Sequence, residues 1–181
     1  MNIIQTKIPD VLIIETPVFG DNRGFFMESY NKQVFSKAGI EHDFIQDNHS
    51  YSAEAGTLRG LHYQLSPAAQ TKLVRVLAGA IYDVAVDIRK NSATYGEWVA
   101  VILSESNKRQ LLIPKGFAHG FCTISPHTQV AYKVDSLYSK ENDRGILWSD
   151  HELGIDWPST NVILSDKDQL HPTFKEADND F

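Results

Sequence analysis

The segment Leu58 to Gln64, L-R-G-L-H-Y-Q, combines a guanidinium that suits anions with an imidazole that can exchange protons near neutral pH. Alternate residues of a strand face opposite sides, so Arg59 and His62 would ordinarily lie on different faces. A bulge at Gly60 would turn one of them toward the other. Without such a bulge, the segment is an ordinary strand with an exposed arginine and a hydrogen-bonded core histidine, and the segment taken alone favours this second interpretation.

A second histidine, His119, lies in Pro114 to Phe121, P-K-G-F-A-H-G-F, where Pro and Gly indicate a turn ahead of it. A lone histidine between aromatic residues is usually structural, but two histidine motifs raise the question of a metal. No His-x-His pair with a following glutamate is present, because Tyr63 and Gln64 follow His62 instead. Too few ligands gather, and we expect neither a metal nor a cofactor.

Charged residues also interrupt two apolar strand faces. By strand alternation, Lys72 shares its face with Val74 and Val76. Asp83 likewise shares its face with Ala85. Burying either charge is costly unless it is paired or has a function. Parity leaves two interpretations open, an interior functional face and a solvent-exposed sheet edge, and alone it slightly favours the second.

Short alternating or β-branched runs, separated by Gly, Pro, Asn and Asp, must position these residues. Such runs are typical of an all-β sandwich or barrel. The Gly79-Ala80 step predicts a tight hairpin between the first two of the clearest runs. These runs are Leu73 to Ala78, Ile81 to Ile88, Trp98 to Leu103, and Gln129 to Val134.

Helical signals are few. Asn31 to Ala38 has a helical pattern with Asn31 as N-cap and Gly39 as stop. A second short helix or turn is predicted to begin at Ser165-Asp166. The acidic tail from Lys175 to Phe181 is expected to fray.

Two extended segments near the amino end, Val11 to Thr16 and Phe25 to Tyr30, would expose strand edges unless they are paired. A two-fold dimer is an economical way to cover them. We therefore expect a homodimer.

Composition narrows the class of protein. The 181 residues fit one domain, and 42% hydrophobic with 22% charged residues argues against disorder. A net charge of −6 excludes bulk attraction to nucleic acid, so an anionic substrate would need a local basic cluster. The single Cys122 forms no internal disulfide, which favours the cytoplasm. Met1 to Asp10 lacks the apolar core of a signal peptide, and we expect no membrane association.

Several motifs in register, from about Val11 to Asp168, resemble the dTDP-4-dehydrorhamnose 3,5-epimerase family. They are G-D-N-R-G-F-F-M-E, L-R-G-L-H-Y-Q, T-K-L-V-R-V, P-K-G-F-A-H-G-F, Y-K-V, G-I-D-W-P and L-S-D-K-D. The resemblance implies an all-β, cupin-type jelly-roll barrel with a few short helices. It also implies conversion of dTDP-4-keto-6-deoxy-D-glucose to dTDP-4-dehydro-L-rhamnose, without a cofactor, in dTDP-L-rhamnose biosynthesis.

The resemblance assigns roles in a proton transfer beside a ketone. His62 would be the base, with Asp168 orienting its ring. Lys72 would place its ammonium near the developing enolate oxygen. Tyr132 would deliver a proton to the opposite face, since a phenol is still protonated near pH 7. This reaction needs all three functions: a base, an oxyanion stabiliser and an acid.

By the same resemblance, the amino-terminal arm (about 1–30) is exchanged between subunits, so Arg23 and Glu28 would serve the neighbour's pocket. Asp143 stands where the family commonly has glutamate, within an expected loop from Asn142 to Ile146. For Phe26 and Tyr138, a plain core role is as open as packing on thymine or sugar. The full set of implied substrate contacts is Arg23, Phe26, Glu28, Gln46, Asn48, Arg59, Lys72, Asp83, His119, Tyr138, Asp143 and Lys167.

Four other functions are compatible with parts of this residue set. A mono-epimerase of another deoxysugar pathway would share His62, Asp168 and Lys72, and the presence of Tyr132 favours the double epimerase over it. A 4-keto-sugar ketoisomerase should lack the full set. A non-catalytic sugar-nucleotide-binding cupin needs no acid and base on opposite faces. A metal-dependent cupin oxygenase is disfavoured by the missing ligand cluster.

Overall fold

The computed structural model describes residues 1–181 and contains thirteen strands and two short helices. The all-β prediction is confirmed. The strands are β1 Asn2–Gln5, β2 Leu12–Glu15, β3 Val18–Asp21, β4 Gly24–Met27, β5 Gln46–Ser52, β6 Leu58–Gln64, β7 Lys72–Ala78, β8 Ala80–Asp87, β9 Trp98–Ser104, β10 Gln110–Ile113, β11 Phe117–Thr123, β12 Thr128–Val134 and β13 Asp143–Gly145; the helices are α1 Lys32–Lys37 and α2 Asp166–Gln169.

The strands form two large antiparallel sheets that enclose the core of a cupin-type barrel. One sheet has the order β1-β2-β10-β7-β12-β5, and the other has the order β13-β6-β11-β8-β9. Strands β3 and β4 form a separate hairpin. The interior cluster draws apolar side chains from both sheets, among them Val74 and Val130 from the first and Ile81, Val99 and Phe121 from the second. Their burial holds the sheets face to face.

Each sheet is also covered on its outer side. Helix α1 places Phe35 against Leu73 and Leu112 of the six-stranded sheet. Asn31 caps this helix as predicted, because its side chain accepts hydrogen bonds from the first-turn N–H groups. Segments after β13, including Leu153, cover the five-stranded sheet. Neither helix has the length and apolar character that a membrane span requires.

The predicted hairpin at Gly79-Ala80 is wrong. Strands β7 and β8 lie in different sheets, so this step carries the chain across the barrel. Gly79 has a φ of +78°, and a Cβ there would lie 2.4 Å from Thr128 Oγ1. A tight crossing needs the same glycine that a hairpin does, so the local sequence does not distinguish the two.

The carboxyl-terminal tail does not fray. Tyr63 donates a hydrogen bond to the carbonyl of Asp178, and the backbone N–H of Lys90 donates to the carbonyl of Phe181. Arg144 also pairs with Asp178 at 3.0 Å. Partners from three separate parts of the chain therefore hold the tail, which its acidic composition does not reveal.

The two amino-terminal segments differ from each other. Strand β2 is paired on both sides, by β1 and β10, so Val11 to Thr16 exposes no free edge. The β3–β4 hairpin is exposed and apolar, with Phe19, Phe25 and Phe26 each more than half accessible.

Candidate active site

Strand β6 contains a bulge at Gly60, the interpretation that the segment alone did not favour. The pairing of β6 with β11 shifts by one residue there, and Gly60 has a φ of +131°. A Cβ on this residue would lie 2.5 Å from the Cα of Gly120, so only glycine allows the close approach. Because the bulge adds one residue between them, Arg59 and His62 line the same cavity despite their opposite parity.

This cavity has a volume of about 450 Å³. Side chains from both sheets and from the segment that begins α2 surround it. It is lined by Ser50, Thr57, Leu58, Arg59, His62, Lys72, His119, Phe121, Tyr132, Ile163, Leu164, Ser165, Lys167 and Asp168.

Helix α2 presents Asp168 to His62. Ser165 caps the helix, and its hydroxyl accepts a hydrogen bond from the backbone N–H of Asp168. The carboxylate accepts a hydrogen bond of 2.6 Å from His62 Nε2. Burial by itself would raise the pKa of Asp168, but the imidazoles of His171 and His62 hold it well below its usual range. Asp168 is therefore ionised at any pH near neutrality.

The imidazole of His62 is neutral at neutral pH. Burial lowers its pKa, and this effect outweighs the opposite pull of Asp168. The positive charges of Lys72 and Lys167 lower the pKa further. Since Nε2–H is donated to Asp168, Nδ1 carries no proton and is the basic nitrogen.

Lys72 and Asp83 both face the barrel interior, with accessibilities of 9% and 0%. Parity left this choice open, and the structure places both charges on the core-facing side. Asp83 Oδ1 accepts a hydrogen bond of 2.7 Å from His119 Nε2, while its Oδ2 is buried without a partner. Burial lowers the pKa of Lys72 to about 8, partly offset by the charges of Asp83 and Asp143. Its ammonium lies 3.4 Å from the carbonyl oxygen of His62.

Tyr132 enters the cavity from the other sheet. It lies on β12, paired with Asn48 of β5 and Val74 of β7, whereas His62 lies on β6. Burial raises the pKa of the Tyr132 phenol, with a smaller opposing effect from Arg59. The phenol therefore keeps its proton near neutral pH.

A second cavity of about 250 Å³ adjoins the first and shares His62, Lys72, Tyr132 and Lys167 with it. It is lined by Gln46, Asn48, His62, Tyr63, Gln64, Gln70, Lys72, Tyr132, Tyr138, Asp143 and Lys167.

Asp143 lines this second cavity and contacts two other side chains of its wall. It contacts Lys167, and it accepts a hydrogen bond of 3.1 Å from the Tyr138 hydroxyl. The expected loop from Asn142 to Ile146 is wrong in part, because β13 pairs here with β6. A three-residue strand gives too short a pattern to be recognised in the sequence.

Four residues assigned to substrate contacts line neither cavity. Asp83 is fully buried behind His119, and the other three belong to the amino-terminal arm. Arg23 is on the β3–β4 hairpin and pairs with Asp21. Glu28 accepts a hydrogen bond from Asn31. Phe26 is 67% exposed on the hairpin. The pocket of a single chain is therefore built without the amino-terminal arm.

Comparison with known proteins identifies the family of this chain. Residues 5–176 match the profile described as dTDP-4-dehydrorhamnose 3,5-epimerase. The chain belongs to the dTDP-4-dehydrorhamnose 3,5-epimerase family. A relative of that name from Shigella flexneri is 59% identical over 179 residues, covering 98% of each chain.

Two solved structures of the family are closely similar. The enzyme from Bacillus anthracis str. Ames, with TDP and PPi bound, is 59% identical with a TM-score of 0.93, covering 95% of this chain and 98% of that one. The Legionella pneumophila enzyme, in complex with dTDP-4-keto-L-rhamnose, is 50% identical with a TM-score of 0.94, covering 98% and 94%.

One cluster in the epimerase fold has the residue types of a metal site. Ligand atoms of His62, Asp168 and His171 lie within 4.8 Å of one another. Tetrahedral zinc bonds of about 2.0–2.1 Å keep ligand atoms roughly 3.3 Å apart. The His62–Asp168 contact of 2.6 Å is a hydrogen bond and is too short for two ligands of one metal. The arrangement found here can instead pass a proton between an imidazole and a carboxylate.

Sequence reasoning missed several residues that lie in or beside the epimerase cavities. His171 is the most prominent, because it lies beside Asp168 in the buried cluster. Its only sequence signal is its position three residues after Asp168, just beyond the end of α2. Ser50, Thr57, Gln64 and Gln70 also line the cavities, although no motif marked them as site residues.

Proposed function

We propose that this chain epimerises dTDP-4-dehydro-6-deoxy-D-glucose at C3 and C5 to give dTDP-4-dehydro-L-rhamnose, in dTDP-L-rhamnose biosynthesis. One observation carries the proposal: His62 and Tyr132 reach the same cavity from opposite sheets. Inversion of a carbon beside a ketone requires proton removal on one face and proton delivery on the other. A base and an acid on opposing walls meet that requirement.

The first step moves one proton from carbon to His62. The 4-keto group makes the flanking C–H bonds acidic, and Nδ1 of His62 takes the proton as the electron pair moves to the keto oxygen. Asp168 stabilises the resulting imidazolium, and the Lys72 ammonium stabilises the enolate oxygen. Tyr132 then protonates carbon from the other face. Its phenolate regains a proton from solvent and the His62 imidazolium releases one, which restores both groups. No electrons leave the substrate, so no oxidant is needed.

The electrostatics of the cavity support each role at neutral pH. His62 is neutral and can accept a proton, because burial lowers its pKa. Tyr132 keeps its proton, because burial raises its pKa. Lys72, with a pKa of about 8, is still mostly charged. The three groups are thus in the protonation states that the first turnover needs.

We propose that Arg59 and Lys167 attract the substrate diphosphate, since the net charge of −6 gives no general attraction for it. Gln46 and Asn48, joined by a hydrogen bond of 2.7 Å, offer polar groups in the second cavity. Asp143 and Tyr138 lie on its other wall. His119 and Asp83 complete the polar network beneath the sugar.

We propose a homodimer in which the arm of one chain completes the pocket of the other. The exposed aromatic hairpin supports this, because an apolar patch of this kind is costly in water. Arg23, Phe26 and Glu28 would then reach the partner's nucleotide rather than their own. We also place the enzyme in the cytoplasm, since its one cysteine is free and buried.

The reaction is tested by incubating purified protein with dTDP-4-keto-6-deoxy-D-glucose and a reductase that traps the L-lyxo product. Formation of dTDP-L-rhamnose, identified by proton NMR, is the expected result. A product inverted at one carbon would instead show a mono-epimerase. Substrate recovered unchanged would favour a binding protein, and stoichiometric bound iron would favour a metal-dependent cupin.

Arm exchange is tested by mixing two defective subunits. Arg23→Ala and His62→Ala homodimers should each be impaired, whereas a co-expressed heterodimer should recover activity, because one of its pockets combines an intact arm with an intact body. Light scattering gives the oligomeric state of each preparation. Absence of recovery in a proven heterodimer would place the arm on its own subunit.

A further inference from the structure

The imidazole of His171 lies against the carboxylate that holds His62. Its Nε2 is 3.4 Å from Asp168 Oδ1, the same oxygen that accepts the 2.6 Å hydrogen bond from His62. The two rings meet edge to face, with centroids 5.3 Å apart and an interplanar angle of 79°. Two imidazoles therefore share one carboxylate oxygen.

The surroundings of His171 fix its ring. Its side chain is 8% accessible, and Nε2 is buried without a hydrogen-bond partner of good geometry. The ring packs against Gly145, where a Cβ would lie 2.3 Å from His171 Cε1. Gly145 is in turn the register partner of His62 in the β13–β6 pair. The strand that flanks the base thus also holds the second imidazole.

We propose that His171 is a positioning residue that holds the Asp168 oxygen against His62 and limits how strongly this carboxylate attracts the proton on His62. The inference rests on the proposed epimerase function with His62 as base. His171 does not line the main cavity, so it acts through its contacts with Asp168 and the His62 ring.

A limit on this attraction has a chemical use. His62 has to take a proton and lose it again within one turnover, so an unshared carboxylate would hold the imidazolium too tightly. The charged groups around His62 are Asp168, Lys72 and Lys167. His119, the register partner of His62 on β11, is hydrogen-bonded to Asp83. Among them, only Asp168 favours the protonated ring. The low pKa of Asp168, to which His171 contributes, agrees with this sharing.

The test compares three proteins by the pH dependence of kcat/KM. His171→Leu removes the donor but keeps bulk, and His171→Gln keeps an N–H near the position of Nε2. In the leucine variant the acid limb should move up by about half to one pH unit, because Asp168 then stabilises protonated His62 more strongly. Its kcat should fall roughly tenfold with little change in KM. The glutamine variant should keep the wild-type limb.

An acid limb that stays in place in both variants would overturn the proposal, even if stability falls, because packing alone would not move it. If the leucine variant does not fold, His171→Asn replaces it, since its amide is one methylene too short to reach Asp168. Nitrogen-15 NMR titration of His62 reads the same shift without turnover. A wild type that is inactive would therefore refute the proposed function and still leave the His171 effect measurable.

Gly145→Ala gives an independent check, because the added methyl has to displace the His171 ring. It should move the acid limb of the wild type in the same direction as His171→Leu. In the His171→Leu background it should add no further movement. An equal shift in both backgrounds would mean that Gly145 acts on His62 without His171, and would contradict the proposal.

Discussion

The two buried carboxylates of β8 lie four residues apart and have opposite environments. Asp87 Oδ1 accepts hydrogen bonds from the backbone and side chain of Arg89. Its Oδ2 accepts from Arg89, Ser92 and Thr94 at 2.8, 2.6 and 2.6 Å. Both carboxylate oxygens of Asp87 therefore accept hydrogen bonds within the protein, and neither needs a ligand to satisfy it.

Asp83 is equally buried, yet one of its oxygens has no partner. It accepts a hydrogen bond from His119, which lines the cavity together with Lys72, His62 and Tyr132. Buried polar groups left unsatisfied are costly and mark places where function outweighs stability. Asp83 and Asp87 are therefore distinguished by whether their oxygens have hydrogen-bond donors, and not by how deeply they are buried.

The largest predicted effect is on the functional side. His62→Ala should lower epimerase activity by about 10³- to 10⁴-fold, because the proposed base is removed. Binding of dTDP and the free energy of unfolding should change little, by about 1 kcal/mol or less. Kinetics, calorimetry and thermal denaturation measure these, with the exposed His151→Ala as matched control. Surviving solvent exchange at C3 and C5 would remove His62 from its assigned role.

Asp87→Asn should show the reverse pattern. The variant should lose roughly 2–3 kcal/mol of stability. The amide NH₂ group cannot accept the hydrogen bonds that one carboxylate oxygen accepts, and it repels their donors. Activity per folded molecule should stay within about twofold. Denaturant unfolding at 25 °C and kcat measure the two effects. A large loss of kcat at unchanged stability would erase the distinction between the two clusters.

The pH dependence of Asp87 sharpens this prediction. Hydrogen bonds from Arg89, Ser92 and Thr94 overcome the effect of burial and lower its pKa to about 2. A depressed carboxyl pKa contributes stability above the unfolded value of about 3.9, and this contribution is lost as pH falls toward 2. The stability gap between wild type and Asp87→Asn should therefore narrow below about pH 4.

Local signals explain how much of this fold the sequence predicts. The Asn31 cap and the start of a short helix at Ser165-Asp166 each depend on a few adjacent residues, and both are found. The segment around Gly60 leaves an ordinary strand and a bulge open, and the structure contains the bulge. The Gly79 crossing depends instead on which sheet each strand joins, and the local pattern is the same for a hairpin. Docking of the tail likewise depends on distant partners such as Tyr63.

The candidate site shows the same division. Parity indicates that Lys72 lies with Val74, but it does not say which face the core covers. His171 meets Asp168 only because Gly145 leaves room for its ring, and nothing in the sequence joins a lone histidine to a glycine 26 positions earlier. Motif resemblance located most of the cavity residues, and three-dimensional packing supplied the rest.

A smaller, two-sided effect is expected from Lys72. Its ammonium is needed for the enolate oxygen, so kcat/KM should fall about tenfold per pH unit above its pKa of about 8. The contribution of Lys72 to the free energy of unfolding should rise between about pH 8 and 10. In this range the unfolded chain, with a lysine pKa of about 10.4, binds more protons than the folded chain. Lys72→Met should lack this rise in stability. Activity that stays level to pH 10 would contradict the assignment.

The central claim is that proton removal and proton delivery occur from opposite walls of one cavity. Proton NMR of dTDP-4-keto-6-deoxy-D-glucose in deuterium oxide, with wild type and Tyr132→Phe compared, tests it most directly. Wild type should exchange both flanking protons and form the inverted product. Tyr132→Phe should still exchange protons through His62 while inversion falls by about 10²-fold. Unchanged inversion in that variant would contradict the two-wall account.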